Sequence, residues 1–223
     1  MCGIAACAGL GVERLIGLTD ALRCERTRTS GVAVRRDNSL RLWRGETPPT
    51  LGRTAGVAHT HGTARPETDC TGEVAAVHAG RLDNAAVLRE QLRADGHELD
   101  GGLIAHLIES RLAEGMTTEE AFRSAFDRLS GSYAVAAVFA GENAVYATRE
   151  GEPIELGRLA DGTLIASDAA AVASRADRTL SLRDGEFLRA TPTGSALTDR
   201  MSVPLDRSPE PVEAEHGRAV QPE

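Results

Sequence analysis

The sequence predicts an α+β fold, because β-patterned segments come first, helical segments follow as a block, and β patterning then returns. The first strand is expected over Cys2–Ala8, a small and apolar run that Gly9 ends. Val12–Leu22 then places its leucines and Ile16 roughly on one helical face. Four short strands are predicted next, at Gly31–Val34, Leu40–Trp43, Gly56–Thr60 and Val74–His78.

The middle of the chain is predicted to contain three helices. Asp83–Ala94 and Leu103–Leu112 show helical periodicity, and the third helix begins with a capping box formed by Thr117 and Glu120. Strands are expected again at Tyr133–Ala140, Ala144–Thr148, Thr163–Ser167 and Glu186–Arg189. After Val203 the composition shifts to proline, glutamate and polar residues, so we predict one domain over residues 2–203 and a disordered tail over 204–223.

Composition excludes several classes of function. The chain has 25 basic and 33 acidic residues, a net charge of −8, and every basic residue is arginine. Without lysine there is no P-loop lysine and no Schiff-base chemistry. Aromatic residues make up 3% of the chain and no basic stripe is present, so nucleic-acid binding is not expected. No signal peptide and no membrane span are predicted, and we expect a cytoplasmic protein.

The four cysteines, Cys2, Cys7, Cys24 and Cys70, have no CxxC spacing, and no two histidines have the spacing of a catalytic zinc site. We therefore predict neither a metal site nor a cofactor. Cys7 is expected in the core and Cys70 in a polar loop without a metal-like setting. His106 is expected to be structural, and His97 exposed.

Met1-Cys2-Gly3 is the most informative motif. Methionine is removed when the second side chain is small, and removal leaves one residue with both a thiol and a free α-amine. The thiol is a nucleophile that needs a base, and an α-amine with a pKa of about 7.7–8.0 can take its proton. The alternative is that Cys2 is a small hydrophobic residue of a buried strand.

Further motifs bear on the choice between a nucleophilic and a structural Cys2. They are Gly56-Val57-Ala58-His59-Thr60, Val77-His78-Ala79-Gly80, Ile104-Ala105-His106-Leu107, Leu129-Ser130-Gly131-Ser132-Tyr133, Gly151-Glu152-Pro153 and Ile165-Ala166-Ser167-Asp168. In their order and spacing, from residue 2 to about residue 200, they resemble the glutaminase domain of class II glutamine amidotransferases. Within that family the likeness is greatest to the N-terminal half of glutamine–fructose-6-phosphate transaminase.

The resemblance implies a four-layer αββα sandwich of the N-terminal nucleophile hydrolases. It also implies that Cys2 attacks the side-chain amide of glutamine, forms a thioester and releases ammonia. In the family an asparagine amide and a glycine N–H form the oxyanion hole. This chain has Ala79 and Gly80 at those positions, so Gly80 retains its N–H while the side-chain donor is missing. Loss of one such donor typically costs about 10²–10³ in rate.

The resemblance also implies the substrate-binding residues, which are Thr60, His61, Arg65 and Asp100. The family arginine that holds the glutamine α-carboxylate has no counterpart in His59-Thr60-His61-Gly62-Thr63-Ala64-Arg65, so Arg65 or His61 is the candidate substitute. An exposed loop arginine is the alternative for Arg65. Asp100 aligns with the carboxylate that holds the substrate α-amine, and the alternative is a turn or helix-cap residue.

Three hypotheses follow from the sequence. The first is a glutaminase that supplies ammonia to a separate synthase partner. The second is an amide hydrolase of the same fold that acts on another substrate. The third is a catalytically inactive module that binds or regulates a partner.

Overall fold

The computed structural model describes residues 3–22, 31–44, 48–49, 52–60, 66–99 and 102–212. Within these residues the chain forms fourteen strands and five helices. The strands are β1 (Ile4–Leu10), β2 (Gly31–Arg36), β3 (Ser39–Arg44), β4 (Thr54–His59), β5 (Glu67–Thr68), β6 (Val74–Leu82), β7 (Gly131–Phe139), β8 (Glu142–Glu150), β9 (Glu155–Leu159), β10 (Gly162–Ala166), β11 (Arg178–Ser181), β12 (Phe187–Ala190), β13 (Ser195–Thr198) and β14 (Glu210–Pro211). The helices are α1 (Val12–Ala21), α2 (Ala85–Ala94), α3 (Leu103–Ala113), α4 (Thr118–Phe126) and α5 (Ala169–Ala173).

The strands form two antiparallel sheets. The larger sheet has the order β14-β11-β9-β10-β1-β4-β2-β3, and the smaller one β13-β12-β8-β7-β6-β5. Strand β1 therefore lies in the middle of the larger sheet, between β10 and β4. It is buried on both faces, which explains why its sequence is a continuous apolar run rather than an alternating one.

Three apolar cores separate four layers. The core between the sheets is rich in alanine and includes Ile4, Ala6, Val57, Ala79 and Ala136. A second core packs α2, α3 and α4 on the smaller sheet, and a third packs α1 and α5 on the larger sheet. The order of layers is helices, sheet, sheet, helices, which confirms the predicted α+β class and the αββα arrangement.

The structure adds elements that the sequence analysis did not predict. These are short strands with mixed polarity and one helix of five residues, namely β5, β9, β11, β13, β14 and α5.

The folded part also extends beyond the predicted boundary at residue 203. Strand β14 pairs with β11, and the Leu205 N–H donates to Leu197 O over 2.9 Å. Arg207 forms an ion pair with Glu186 and donates to Ser181 O, and Leu205 packs against the core between the sheets, so charged and apolar side chains both hold this segment. None of the helices in the described ranges is long and apolar enough to cross a membrane.

The predicted capping box of α4 is confirmed. Thr117 accepts from the Glu120 N–H, and the Glu120 carboxylate accepts from the Thr117 N–H over 2.9 Å. We expect Thr117→Ala to lower the free energy of unfolding by about 1 kcal/mol, because an N–H of the first turn loses its acceptor. Denaturant unfolding measures this effect. Thr118→Ala, one residue into the helix, is the control, and equal losses in both variants would contradict a capping role.

Candidate functional site

One end of the larger sheet brings together segments that are far apart in sequence. In the register of the sheet, Ile4 lies opposite His59, Gly31 also lies opposite His59, and Ala5 lies opposite Ala166. The start of β1, the end of β4, the start of β2 and the end of β10 therefore meet at this end. The chain enters the sheet here directly after Cys2.

Thr60 fixes the residue that follows Cys2. The Gly3 N–H donates to Thr60 Oγ1 over 2.8 Å, and the Thr60 N–H donates to Gly3 O over 3.0 Å. Thr60 Oγ1 also lies 3.1 Å from Gly3 O, to which it donates. A Cβ on Gly3 would lie 2.9 Å from Leu22 Cβ and 3.0 Å from Thr60 Oγ1, so only glycine fits without displacement.

Ser167 fixes the next residue from the other side. The Ile4 N–H donates to Ser167 Oγ over 3.0 Å, and the Ser167 N–H donates to Ile4 O over 3.1 Å. Thr60 and Ser167 are each the first residue after a strand that flanks β1, and together they hold the start of β1. Ser167 belongs to the Ile165–Asp168 motif but was not predicted to take part in the site.

A histidine joins the two sheets at this end. His59 is buried, and its Nε2 lies 2.9 Å from the backbone oxygen of His78 in β6. Because a carbonyl oxygen only accepts, Nε2 carries the proton and donates. Burial, with a smaller contribution from the positive charge of Arg89, lowers the pKa of His78, so its imidazole is neutral at neutral pH. Gly80 is two residues beyond His78 on the same strand.

Gly80 has a backbone conformation that glycine favours. Its φ is +91°, and a Cβ would lie 2.2 Å from Ser132 O and 2.7 Å from Glu152 Cγ. The Ser132 hydroxyl in turn donates to the Glu152 carboxylate over 3.2 Å. Gly80 is exposed, whereas Ala79 is 5% exposed and lies in the core between the sheets. This core is therefore where a longer side chain at position 79 would be placed.

The predicted site residues divide into two groups. Thr60 and Gly80 lie in the described residues, at the end of the larger sheet and on β6 respectively. Cys2, His61, Arg65 and Asp100 lie outside the described residues. Thr60 is predicted to bind substrate, and its hydrogen bonds to Gly3 also position the chain next to Cys2.

Cys7 is a buried thiol that we expect to be unreactive in the folded state. It is fully buried in β1, and burial raises its pKa to about 12. The thiolate is the reactive form, so at pH 8 only about one molecule in 10⁴ carries it. We expect iodoacetamide to leave Cys7 unmodified in the native protein and to modify it in guanidinium chloride, as peptide mass mapping measures. Equal rates in both states would contradict this.

A second group of polar side chains lies on the helical side of the smaller sheet. Cys70, His97, His106 and Glu109 place their ligand atoms within 4.8 Å of one another. The side chain of His97 is 15% exposed, so the expectation that it is exposed is wrong. Cys70 does lie in an exposed loop, but it has two histidines beside it, which its sequence neighbours did not indicate.

Comparisons with known proteins identify the family. A family model described as a glutamine amidotransferase domain matches residues 53–174. The chain is 40% identical over 152 residues to glutamine–fructose-6-phosphate aminotransferase (isomerizing) of Halobacterium salinarum, covering 63% of this chain and 25% of that protein. It is 39% identical over 181 residues to the enzyme of the same name from Aeropyrum pernix, covering 75% and 28%. The chain thus spans about a quarter of the length of these relatives.

Solved structures show the same fold. Glutamine phosphoribosylpyrophosphate amidotransferase from B. subtilis superposes with a TM-score of 0.73 at 19% identity, covering 89% of this chain and 49% of that chain. A glutamine aminotransferase class-II domain protein from Silicibacter pomeroyi gives a TM-score of 0.63 at 18% identity, covering 88% and 98%. The chain therefore belongs to the class II glutamine amidotransferase domain family and has the αββα fold of the N-terminal nucleophile hydrolases.

Proposed function

We propose that this domain is a glutaminase, in which Cys2 hydrolyses the side-chain amide of glutamine and the ammonia passes to a separate synthase partner. The observation that carries the proposal is the pair of hydrogen-bonded clamps on Gly3 and Ile4. They fix the residue that follows Cys2 at the end of the sandwich where β6 presents Gly80. The amidotransferase names of the relatives support glutamine as the source of nitrogen.

The proposed reaction has two steps. After Met1 is removed, the Cys2 thiol gives its proton to its own α-amine and the sulfur attacks the amide carbon of glutamine. The Gly80 N–H stabilises the oxyanion, the C–N bond breaks, and the α-amine returns a proton to the departing ammonia. Water then attacks the thioester, which gives glutamate and restores the thiol.

Substrate binding is proposed to use the charged residues that the family resemblance implies. Arg65 or His61 would hold the α-carboxylate of glutamine, and Asp100 would hold its α-amine. Thr60 contributes by positioning Gly3, since its hydroxyl and N–H are both used there. A guanidinium can bind a carboxylate through two parallel hydrogen bonds, which favours Arg65 over His61 for this role.

An electrophilic analogue of glutamine tests this proposal. Intact-mass analysis of the purified protein first establishes whether Met1 is absent. We then expect one covalent adduct on Cys2, blocked by excess glutamine, and release of ammonia from glutamine. Cys2→Ala is expected to lose both the adduct and the ammonia, while Cys70→Ser, at an exposed cysteine, is expected to keep both.

Other outcomes would favour the remaining hypotheses. A reactive Cys2 that glutamine does not protect would indicate an amide hydrolase with another substrate. Retained Met1, or no selective labelling, would indicate an inactive partner-binding module. Ala79 supports these alternatives, because its side chain cannot donate a hydrogen bond to an oxyanion.

A further inference from the structure

The cluster of Cys70, His97, His106 and Glu109 lies apart from the clamps on β1. Cys70 belongs to the connection between β5 and β6, and His97 to the connection between α2 and α3. His106 and Glu109 lie three residues apart on α3. Three separate stretches of chain therefore converge on one point, and each contributes a side chain that can bind a metal ion.

Four of the six distances between ligand atoms of the cluster are close to those of a tetrahedral site. Cys70 Sγ lies 3.5 Å from His106 Nδ1 and 3.9 Å from His97 Nδ1. The two Nδ1 atoms lie 2.9 and 3.0 Å from Glu109 Oε2. Around a tetrahedral zinc ion, S···N separations are about 3.5 Å and N···O separations about 3.4 Å. Zinc would therefore fit after the two N···O contacts lengthened by about 0.4–0.5 Å.

His106 is buried with hydrogen-bond partners on one ring nitrogen. Its side chain is 1% exposed, and Nε2 has no hydrogen-bond partner among the described residues. Burying a polar atom without a partner is costly, so the interactions of Nδ1 have to stabilise the buried ring. A bond from Nδ1 to a metal ion would be a stronger interaction than the hydrogen bond to Glu109 that the structure shows.

Glu109 is the carboxylate on which the cluster converges. Its Oε2 lies within hydrogen-bonding distance of both Nδ1 atoms and accepts from the Cys70 N–H over 3.3 Å. Its side chain is 12% exposed. A negative oxygen, a thiolate and two imidazole nitrogens form a ligand set that favours zinc over magnesium or calcium.

We propose that Cys70, His97, His106 and Glu109 form a structural Zn²⁺ site. Four protein ligands leave no open position, which is typical of structural and not of catalytic zinc. The ion would join the β5–β6 connection to α3 and to the segment before it. These parts already approach closely, since a Cβ on Gly102 would lie 2.5 Å from Thr68 O.

Metal analysis of the full chain tests this proposal. The protein is purified with a reductant, stripped with a chelator and titrated with Zn²⁺ alone and with Co²⁺ alone. All samples carry Cys2→Ala and Cys24→Ser, so that a thiol elsewhere does not supply the sulfur. We expect one equivalent of zinc and, with cobalt, a thiolate charge-transfer band together with the intense visible bands of tetrahedral coordination.

Matched variants distinguish zinc bound at this cluster from zinc bound elsewhere on the protein surface. Cys70→Ser is expected to lose the charge-transfer band and to weaken zinc binding by more than about 100-fold, beyond the effect typical of residues that only orient ligands. Glu109→Gln should also weaken binding, whereas Glu114→Gln, five residues along at the end of α3, should not. Cys70 is exposed, so Cys70→Ser is expected to fold, which circular dichroism checks.

The melting temperature gives a second readout. Zinc should raise the melting temperature of the reference protein, which carries Cys2→Ala and Cys24→Ser and keeps Cys70. It should leave the melting temperature of Cys70→Ser unchanged, because only the reference protein binds the ion in its folded state. The proposal is overturned if the reference protein binds no stoichiometric zinc. It is also overturned if Cys70→Ser retains the same zinc affinity and the cobalt complex shows no thiolate band.

Discussion

Gly80→Ala is expected to lower the free energy of unfolding by about 2–4 kcal/mol, from the cost of a positive φ and the strain of an overpacked site. The added Cβ would lie 2.2 Å from Ser132 O, and since that atom belongs to the backbone, β6 and β7 must separate locally. Under the proposed mechanism the N–H of residue 80 then moves away from the oxyanion. Glutaminase activity should consequently fall by about 10²–10³ or more.

Gly115→Ala is the matched control for this prediction. Its φ is +86°, close to that of Gly80, but a Cβ there meets nothing within 4 Å. It therefore measures the conformational cost alone, expected to be about 1 kcal/mol, with activity unchanged. Denaturant unfolding and ammonia release measure both quantities. Similar results for the two variants would show that the close contact at Gly80 has no consequence for stability or activity.

Under the proposed mechanism, Ala79→Asn is expected to increase the rate of glutamine hydrolysis by about 10²-fold, because asparagine would supply a second donor to the oxyanion. The same change should cost about 1–3 kcal/mol of stability. Ala79 is 5% exposed in a core made largely of alanine, so a longer side chain has to displace its neighbours. The predicted variant is thus faster and less stable than the natural sequence.

Ala79→Leu separates the expected effect on rate from the expected effect on stability. Leucine has nearly the shape of asparagine and no hydrogen-bond donor, so it should reproduce the loss of stability without the gain in rate. The measurements are kcat from ammonia release and the melting temperature of each variant. If asparagine and leucine at position 79 gave the same kcat, the missing donor would not be what limits the reaction.

The sequence predicted the elements whose patterns are long or unambiguous. Strands β1 and β7 are continuous apolar runs because both of their faces are buried, and α4 carries its own capping box. Strands β11 and β13 were not predicted, since each has one buried residue among four and its pairing is decided by a distant neighbour. Helix α5 has only five residues, too few for a helical period to show.

The candidate site likewise contains residues whose roles depend on distant parts of the chain. Gly80 and Thr60 were both named from their motifs, and their roles in the oxyanion hole and in substrate binding stay predictions. Ser167 gains its role only because β10 lies beside β1, which no local pattern reveals. In the cluster that we propose to bind zinc, the i,i+3 pair of His106 and Glu109 on α3 was the one local signal, and Cys70 is 36 residues away from His106.

If the domain has the proposed activity, the clamps on β1 also determine when that activity begins during synthesis. Thr60 is 57 residues from Gly3, and Ser167 is 163 residues from Ile4. Contacts over such distances in sequence form late, after the loops between them have closed. A growing polypeptide on the ribosome therefore cannot form both clamps on Gly3 and Ile4 until Ser167 has emerged, so under the proposed function incomplete chains should not release ammonia.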